Sequence, residues 1–250
     1  SSTFGARVED DQTYSAQLEM LLNVGHVQQQ YTVINAGVSG YTSFQSLKYL
    51  ETRGLSLQPD LVLFYHEQND FLPSAYSDRE LYESQSHAWH RILADYSAVY
   101  RVISNAVARR SIETLRKKTG SGELAMESVA DGFAQIAEGL TYNSERTRVS
   151  ATERLDNLRQ LFDICQTHHI QLVVMHPAYA DSRRHSCELT EFCDRAGLCM
   201  YEAYDALHPE GVGIREYFAD ECHPNPQGHG SLAKGLYDFL TSAQFLPGEE

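Results

Sequence analysis

A parallel β-sheet covered by helices on both faces, with a helical insertion in the middle of the chain, is the fold class this sequence predicts. Three observations carry it. Short apolar runs that read as strands alternate with amphipathic helical stretches at both ends of the chain, as expected of strands joined by crossover helices. Residues 77–148 break the alternation, with helical periodicity and no convincing strand. The chain is 250 residues long and 42% hydrophobic, which suffices for a sizeable core and excludes a disordered chain.

The elements follow in order. Thr13 to Leu22 sets Tyr14, Leu18, Leu21 and Leu22 at helical spacing. Tyr31 to Ile34 reads as a short buried strand. Ser43 to Arg53 is helical, with Gly54 as its stop signal. Leu61 to Tyr65 is the clearest strand. In the insertion, Tyr82, Trp89, Ile92, Leu93, Tyr96, Tyr100 and Val102 form an apolar face, and a basic run holds Arg109, Arg110, Arg116 and Lys117. That face suits core packing first and a lid over a cleft second. Ala151 to His168 is an amphipathic helix, Ile170 to Met175 a strand, and Pro226 to Leu240 a closing helix. The whole is read as one domain, residues 1–250, with the insertion at about 77–148.

Charge and cysteine usage narrow the partners. A formal net charge of −14 would repel nucleic acid and anionic membranes. No window approaches the length of a membrane-spanning helix. Of five cysteines, Cys187, Cys193 and Cys199 cluster, and Cys222 stands beside a histidine. Their spacing fits no paired zinc pattern, which leaves one disulfide or ordinary thiols. Gly37-Val38-Ser39-Gly40 is not a dinucleotide fingerprint and no P-loop lysine is present, so no cofactor and no metal are expected.

The chemistry concentrates in Asp220-Glu221-Cys222-His223-Pro224-Asn225-Pro226. Proline pushes the preceding residue out of the helical region, so His223 should sit on an extended loop. Asn225 can cap the next helix with Pro226 in its first position. Asp220 is then close enough to fix the imidazole tautomer. Such an acid–base pair calls for a nucleophile, and Ser1-Ser2-Thr3-Phe4-Gly5 offers one. Two further blocks, Asn35-Ala36-Gly37-Val38-Ser39-Gly40 and His66-Glu67-Gln68-Asn69-Asp70, each follow a strand-like run. Both would therefore open at the carboxyl edge of the sheet, where ligands bind in such folds.

These four blocks, in this order, resemble the SGNH (GDSL-type) hydrolase family. The resemblance implies a flavodoxin-like α/β/α domain in which Ser1 is the nucleophile and Asp220 and His223 complete a triad. It implies that Ser1, Gly40 and Asn69 donate to an oxyanion. Glu67 stands where the third block usually has glycine, and the glycine and aspartate expected before the nucleophile are absent, so a lead-in strand is expected to be missing. His66 and Glu67 are candidate pocket residues. The implied activity is a serine esterase acting through an acyl-enzyme on a small-molecule or carbohydrate ester, with acetyl esters favoured. The alternatives are an O-acyltransferase on the same scaffold and a non-catalytic ligand-binding protein. Members whose first block lies well inside the chain often carry an export or anchor segment upstream, so the expected location leans extracytoplasmic.

Competing sites are weaker. An N-terminal-nucleophile enzyme would use the Ser1 amine as base and leave Asp220 and His223 without a role. Ser39 is not in a Gly-x-Ser-x-Gly elbow. His168 and His169 suit a helix C-terminus, His176 a strand end, and His229 a surface or supporting position.

Overall fold

Leu61–Tyr65 is an unbroken apolar run, and such runs belong to strands buried on both faces of a parallel sheet. In the computed structural model it is β1, paired in parallel with β2 (Gln171–His176), which pairs in parallel with β3 (Cys199–Glu202). The structure describes residues 1–24, 30–74, 76–85, 146–180, 187–213, 215–243 and 245. In chain order the helices are α1 (Tyr14–Asn23), α2 (Ser43–Thr52), α3 (Asp78–Gln85), α4 (Ala151–Thr167), α5 (Cys187–Ala196), α6 (Ala203–Leu207) and α7 (Pro226–Ser242). The chain divides into two compact units, Ser1–Asp70 with Ala151–Glu250, and Phe71–Ser150.

In the first unit, β2 shows why the helices cover both faces. Side chains alternate across a strand. Val173 and Met175 enter one core with Leu18 and Leu22 of α1 and Leu232 and Leu236 of α7. Leu172 and Val174 enter the other, with Leu47 of α2 and Leu158 and Leu161 of α4. Val173, Val174 and Met175 have no exposed surface, so each contributes about 1.5–3 kcal/mol of burial. The expected α/β architecture is the one observed.

One element differs. Tyr31 to Ile34 is not in the sheet. Instead α1 takes its backbone: Asn23 accepts from the Tyr31 N–H at 2.8 Å and donates to its carbonyl at 2.9 Å. Glu19 accepts from the Val33 N–H at 2.6 Å. Tyr31 and Val33 still turn toward the first core, while Ile34 points outward.

Of the second unit, the described part holds α3 and an antiparallel bridge between Pro73 and Thr147. Arg148 closes it with a two-pronged contact to Asp78 at 2.9 and 3.1 Å. The aromatic face from Trp89 to Val102 and the basic run lie outside the described residues. Among the described cysteines, Cys165, Cys193, Cys199 and Cys222 are free thiols, which removes the disulfide alternative for the last three. The Cys187 side chain is outside the description. No helix among the described residues is long and apolar enough to cross a membrane.

Candidate active site

The loop before α7 is built to hold His223. Phe218 and Pro224 form an antiparallel bridge, and the Ala219 N–H donates to the His223 carbonyl at 2.8 Å. Asn225 accepts from the Gly228 N–H at 3.0 Å, capping α7 with Pro226 in its first turn. Inside the loop, Asp220 Oδ1 accepts from the N–H groups of Cys222 and His223 at 3.0 and 2.9 Å. Its carboxylate lies 2.8 and 2.9 Å from His223 Nδ1. A carboxylate only accepts, so Nδ1 carries the proton and Nε2 is the accepting nitrogen of the neutral ring. Nε2 lies 2.7 Å from Ser1 Oγ, 222 residues away in sequence.

Ser1 is held from several sides. The N–H groups of Gly5 and Ala6 donate to its carbonyl, and Ser2 Oγ donates to the Cys222 carbonyl at 3.0 Å. Asn35 donates to the Thr3 carbonyl at 2.7 Å. Gly37 lies directly against this segment: a Cβ there would come within 2.7 Å of the Thr3 carbonyl carbon. Arg7 completes the surround, with Nε 3.2 Å from Asp220 Oδ2.

Asn69 donates to the Tyr41 carbonyl at 2.9 Å, fixing the turn that contains Gly40. Gly40 has φ +78°, a left-handed conformation that glycine adopts without strain. The next residue, Asp70, is fully buried and ties this turn to α2. Its Oδ1 accepts from the Ser43 N–H at 2.8 Å, and Oδ2 lies 3.4 Å from Arg154 Nε.

Ser1, His66, Glu67 and Asn69 line one cleft, together with Tyr65, Pro177, Ala178, Tyr179 and Cys222. Gly40 is not among the lining residues. Glu67 is buried and accepts from the Tyr179 hydroxyl at 3.1 Å. His66 Nε2 lies 2.7 Å from Ser46 Oγ, and burial lowers its pKa to about 3, so it stays neutral. Of the expected residues, Ser1, Asp220 and His223 are thus within hydrogen-bonding distance, and Asn69, His66 and Glu67 line the same cleft as Ser1.

Asp220 and His223 each shift the ionisation of the other. Burial opposes charge on Asp220, but hydrogen bonds from His223 and two backbone N–H groups outweigh it and hold the carboxyl below the usual range. Burial likewise disfavours imidazolium at His223, yet the Asp220 hydrogen bond, with Cys222 adding to it, raises its pKa to about 9. Cys222 Sγ lies 3.7 and 4.0 Å from the two ring nitrogens. Ligand atoms of Asp220, Cys222 and His223 lie within 4.8 Å of one another, but both ring nitrogens of His223 are already engaged, Nδ1 by Asp220 and Nε2 by Ser1 Oγ.

The sequence matches no family model and no curated protein. Solved structures do match. A two-domain esterase active on acetylated mannans superposes with TM-score 0.59 at 14% identity, over 100% of this chain and 49% of its own. This chain therefore spans about half the length of that protein. An acetylxylan esterase from Geobacillus stearothermophilus, solved as a catalytic mutant, gives TM-score 0.56 at 15% identity, over 99% of this chain and 87% of its own. The chain has the fold of these esterases. An alpha/beta hydrolase from the metagenome of Lake Arreo, Spain, gives TM-score 0.56 at 14% identity, over 99% and 90% of the two chains.

Within this esterase fold, sequence reasoning missed the supports of the site. Asn35 and Gly37 clamp the Ser1 segment, and nothing local announces a contact made more than thirty residues away. Asparagine and glycine two residues apart after a strand-like run were the available signal. His229 has no exposed surface, which corrects the surface alternative for it. Its Nδ1 accepts from the Tyr14 N–H at 3.1 Å, docking the start of α1 on α7.

Proposed function

We propose that the protein is a serine esterase that hydrolyses carboxylic esters through an acyl-enzyme. One observation carries the reading: Ser1 Oγ, His223 and Asp220 form a continuous hydrogen-bonded chain, 2.7 Å on one side of the imidazole and 2.8 Å on the other. Ser1 Oγ attacks the ester carbonyl carbon while its proton passes to His223 Nε2. The carbonyl π pair moves onto oxygen, where the N–H groups of Ser1 and Gly40 and the Asn69 amide receive it. Asp220 stabilises the imidazolium and keeps its orientation. The tetrahedral adduct collapses, the C–O bond to the alcohol breaks, and His223 gives its proton to the leaving oxygen. Water repeats the sequence on the acyl-enzyme, releasing the acid and free Ser1.

Acetyl esters of carbohydrates are the proposed substrates. The support is that two of the structural relatives are esterases active on acetylated mannans or acetylxylan. Labelling with a fluorophosphonate, followed by peptide mass spectrometry, tests the nucleophile. The adduct is expected on Ser1 and absent from His223→Ala. An adduct on another residue, or none, would contradict the assignment.

A further inference from the structure

Two hydrogen bonds on Tyr14 join the segment that carries Ser1 to the helix that follows His223. Tyr14 is buried, and its hydroxyl shares a hydrogen bond with Thr3 Oγ1 at 3.0 Å. Its backbone N–H is the first of α1, one of the four that a helix leaves without an internal partner. That N–H donates to His229 Nδ1 at 3.1 Å, and the phenol ring stacks on the imidazole with planes 12° from parallel. His229 lies in the first turn of α7, and burial lowers its pKa to about 4, so Nδ1 of the neutral ring can accept. Tyr14 shares its core with Leu18 and Leu22, a place that a phenylalanine ring would also fill. What the hydroxyl adds is the contact to Thr3. Gly5 brings the same segment against the cap of α1: a Cβ there would fall 2.5 Å from Thr13 Cγ2.

We infer that Tyr14 is a positioning residue for the nucleophile: through Thr3 it ties the Ser1 segment to the start of α7, and so keeps Ser1 Oγ where His223 can take its proton. This rests on the esterase reading. Ser1 and His223 are 222 residues apart, so nothing in the local chain holds them at 2.7 Å. The His223 loop runs into α7 through Asn225 and Pro226, and Tyr14 references the Ser1 segment to that same helix. The bonds from Ser2 to the Cys222 carbonyl and from Asn35 to the Thr3 carbonyl hold the segment at other points. Loss of the Tyr14 hydroxyl therefore loosens the segment without releasing it.

Tyr14→Phe keeps the ring in the core and removes only the hydroxyl. On p-nitrophenyl acetate its kcat should fall roughly 10-fold with KM within about twofold, the scale of one net hydrogen bond that acts on the reacting geometry. Thr3→Val removes the partner from the other end and should give a similar loss. The double mutant should lose no more than either single one, because both remove the same bond. Thr3→Ser keeps a hydroxyl and should hold kcat within about threefold of the unaltered protein. A Tyr14→Phe kcat within about twofold of the unaltered value, or losses that multiply in the double mutant, would overturn the inference. Amide hydrogen exchange over residues 1–6 reads the tie without turnover, and it should quicken in both single mutants while α1 and α7 exchange as before. If the unaltered protein hydrolyses no ester and this exchange still quickens, the esterase reading fails while the tie stands. Unchanged exchange in that case removes the tie as well.

Discussion

Gly37 packs against the backbone of Thr3 so closely that any Cβ would fall 2.7 Å from the Thr3 carbonyl carbon. Contacts under 3.0 Å to backbone cannot be relieved by a side-chain rotation, so the Ser1 segment itself must move. Gly37→Ala should therefore lower kcat by roughly 100-fold, the scale expected when a reacting group is misplaced by about 1 Å. Circular dichroism should show the helices retained. A normal kcat in a folded Gly37→Ala protein would mean that the clamp does not position Ser1.

The pH dependence follows from His223. The ring must be neutral to take the Ser1 proton, and its pKa is raised from the ordinary 6.5 to about 9. Below that pKa the neutral fraction falls tenfold per pH unit. The profile of kcat/KM should therefore rise on the acid side, through an apparent pKa above 6.5, and level off only above pH 9. Replacing Cys222 with alanine removes one contribution that raises His223 and should move the limb to lower pH. A limb at or below 6.5 in the unaltered protein would contradict the coupling to Asp220.

Asn69 has two expected roles that separate experimentally. Its amide donates to the Tyr41 carbonyl, and its other N–H is available to an oxyanion. Asn69→Ala should cost about 10²–10³ in kcat with little change in KM. A rise in KM alone would mean that Asn69 binds substrate and transition state equally.

The Asp70–Arg154 contact governs stability more than chemistry. Both side chains are buried, at 3.4 Å. Removing one partner of a buried ion pair leaves the other charge uncompensated and typically costs about 3–5 kcal/mol. Asp70→Ala should lower the urea midpoint accordingly, and a loss of unfolding free energy under about 1 kcal/mol would contradict this role for the pair.

Much of this site was legible because its chemistry is local. Asp220, His223, Pro224 and Asn225 act within six residues, where proline and capping rules apply directly. The two cores were legible in β2, whose run of apolar residues suits a strand buried on both faces. What escaped depends on distant partners. Tyr31 and Val33 point inward and Ile34 outward, the same alternation a sheet strand has, and nothing local reveals that Asn23 and Glu19 take the backbone instead. Glu67 read as a departure from a motif, and only the fold brings Tyr179 to it across 112 residues.

The central claim is that Ser1 and His223 act as one nucleophilic unit. Steady-state hydrolysis of p-nitrophenyl acetate by the unaltered protein, Ser1→Ala, His223→Ala and the double mutant tests it most directly. Residues acting as a unit are non-additive, so each single mutant should lose about 10⁴-fold or more in kcat and the double mutant should lose no more than either. Turnover within about tenfold of the unaltered protein in either single mutant would contradict the account.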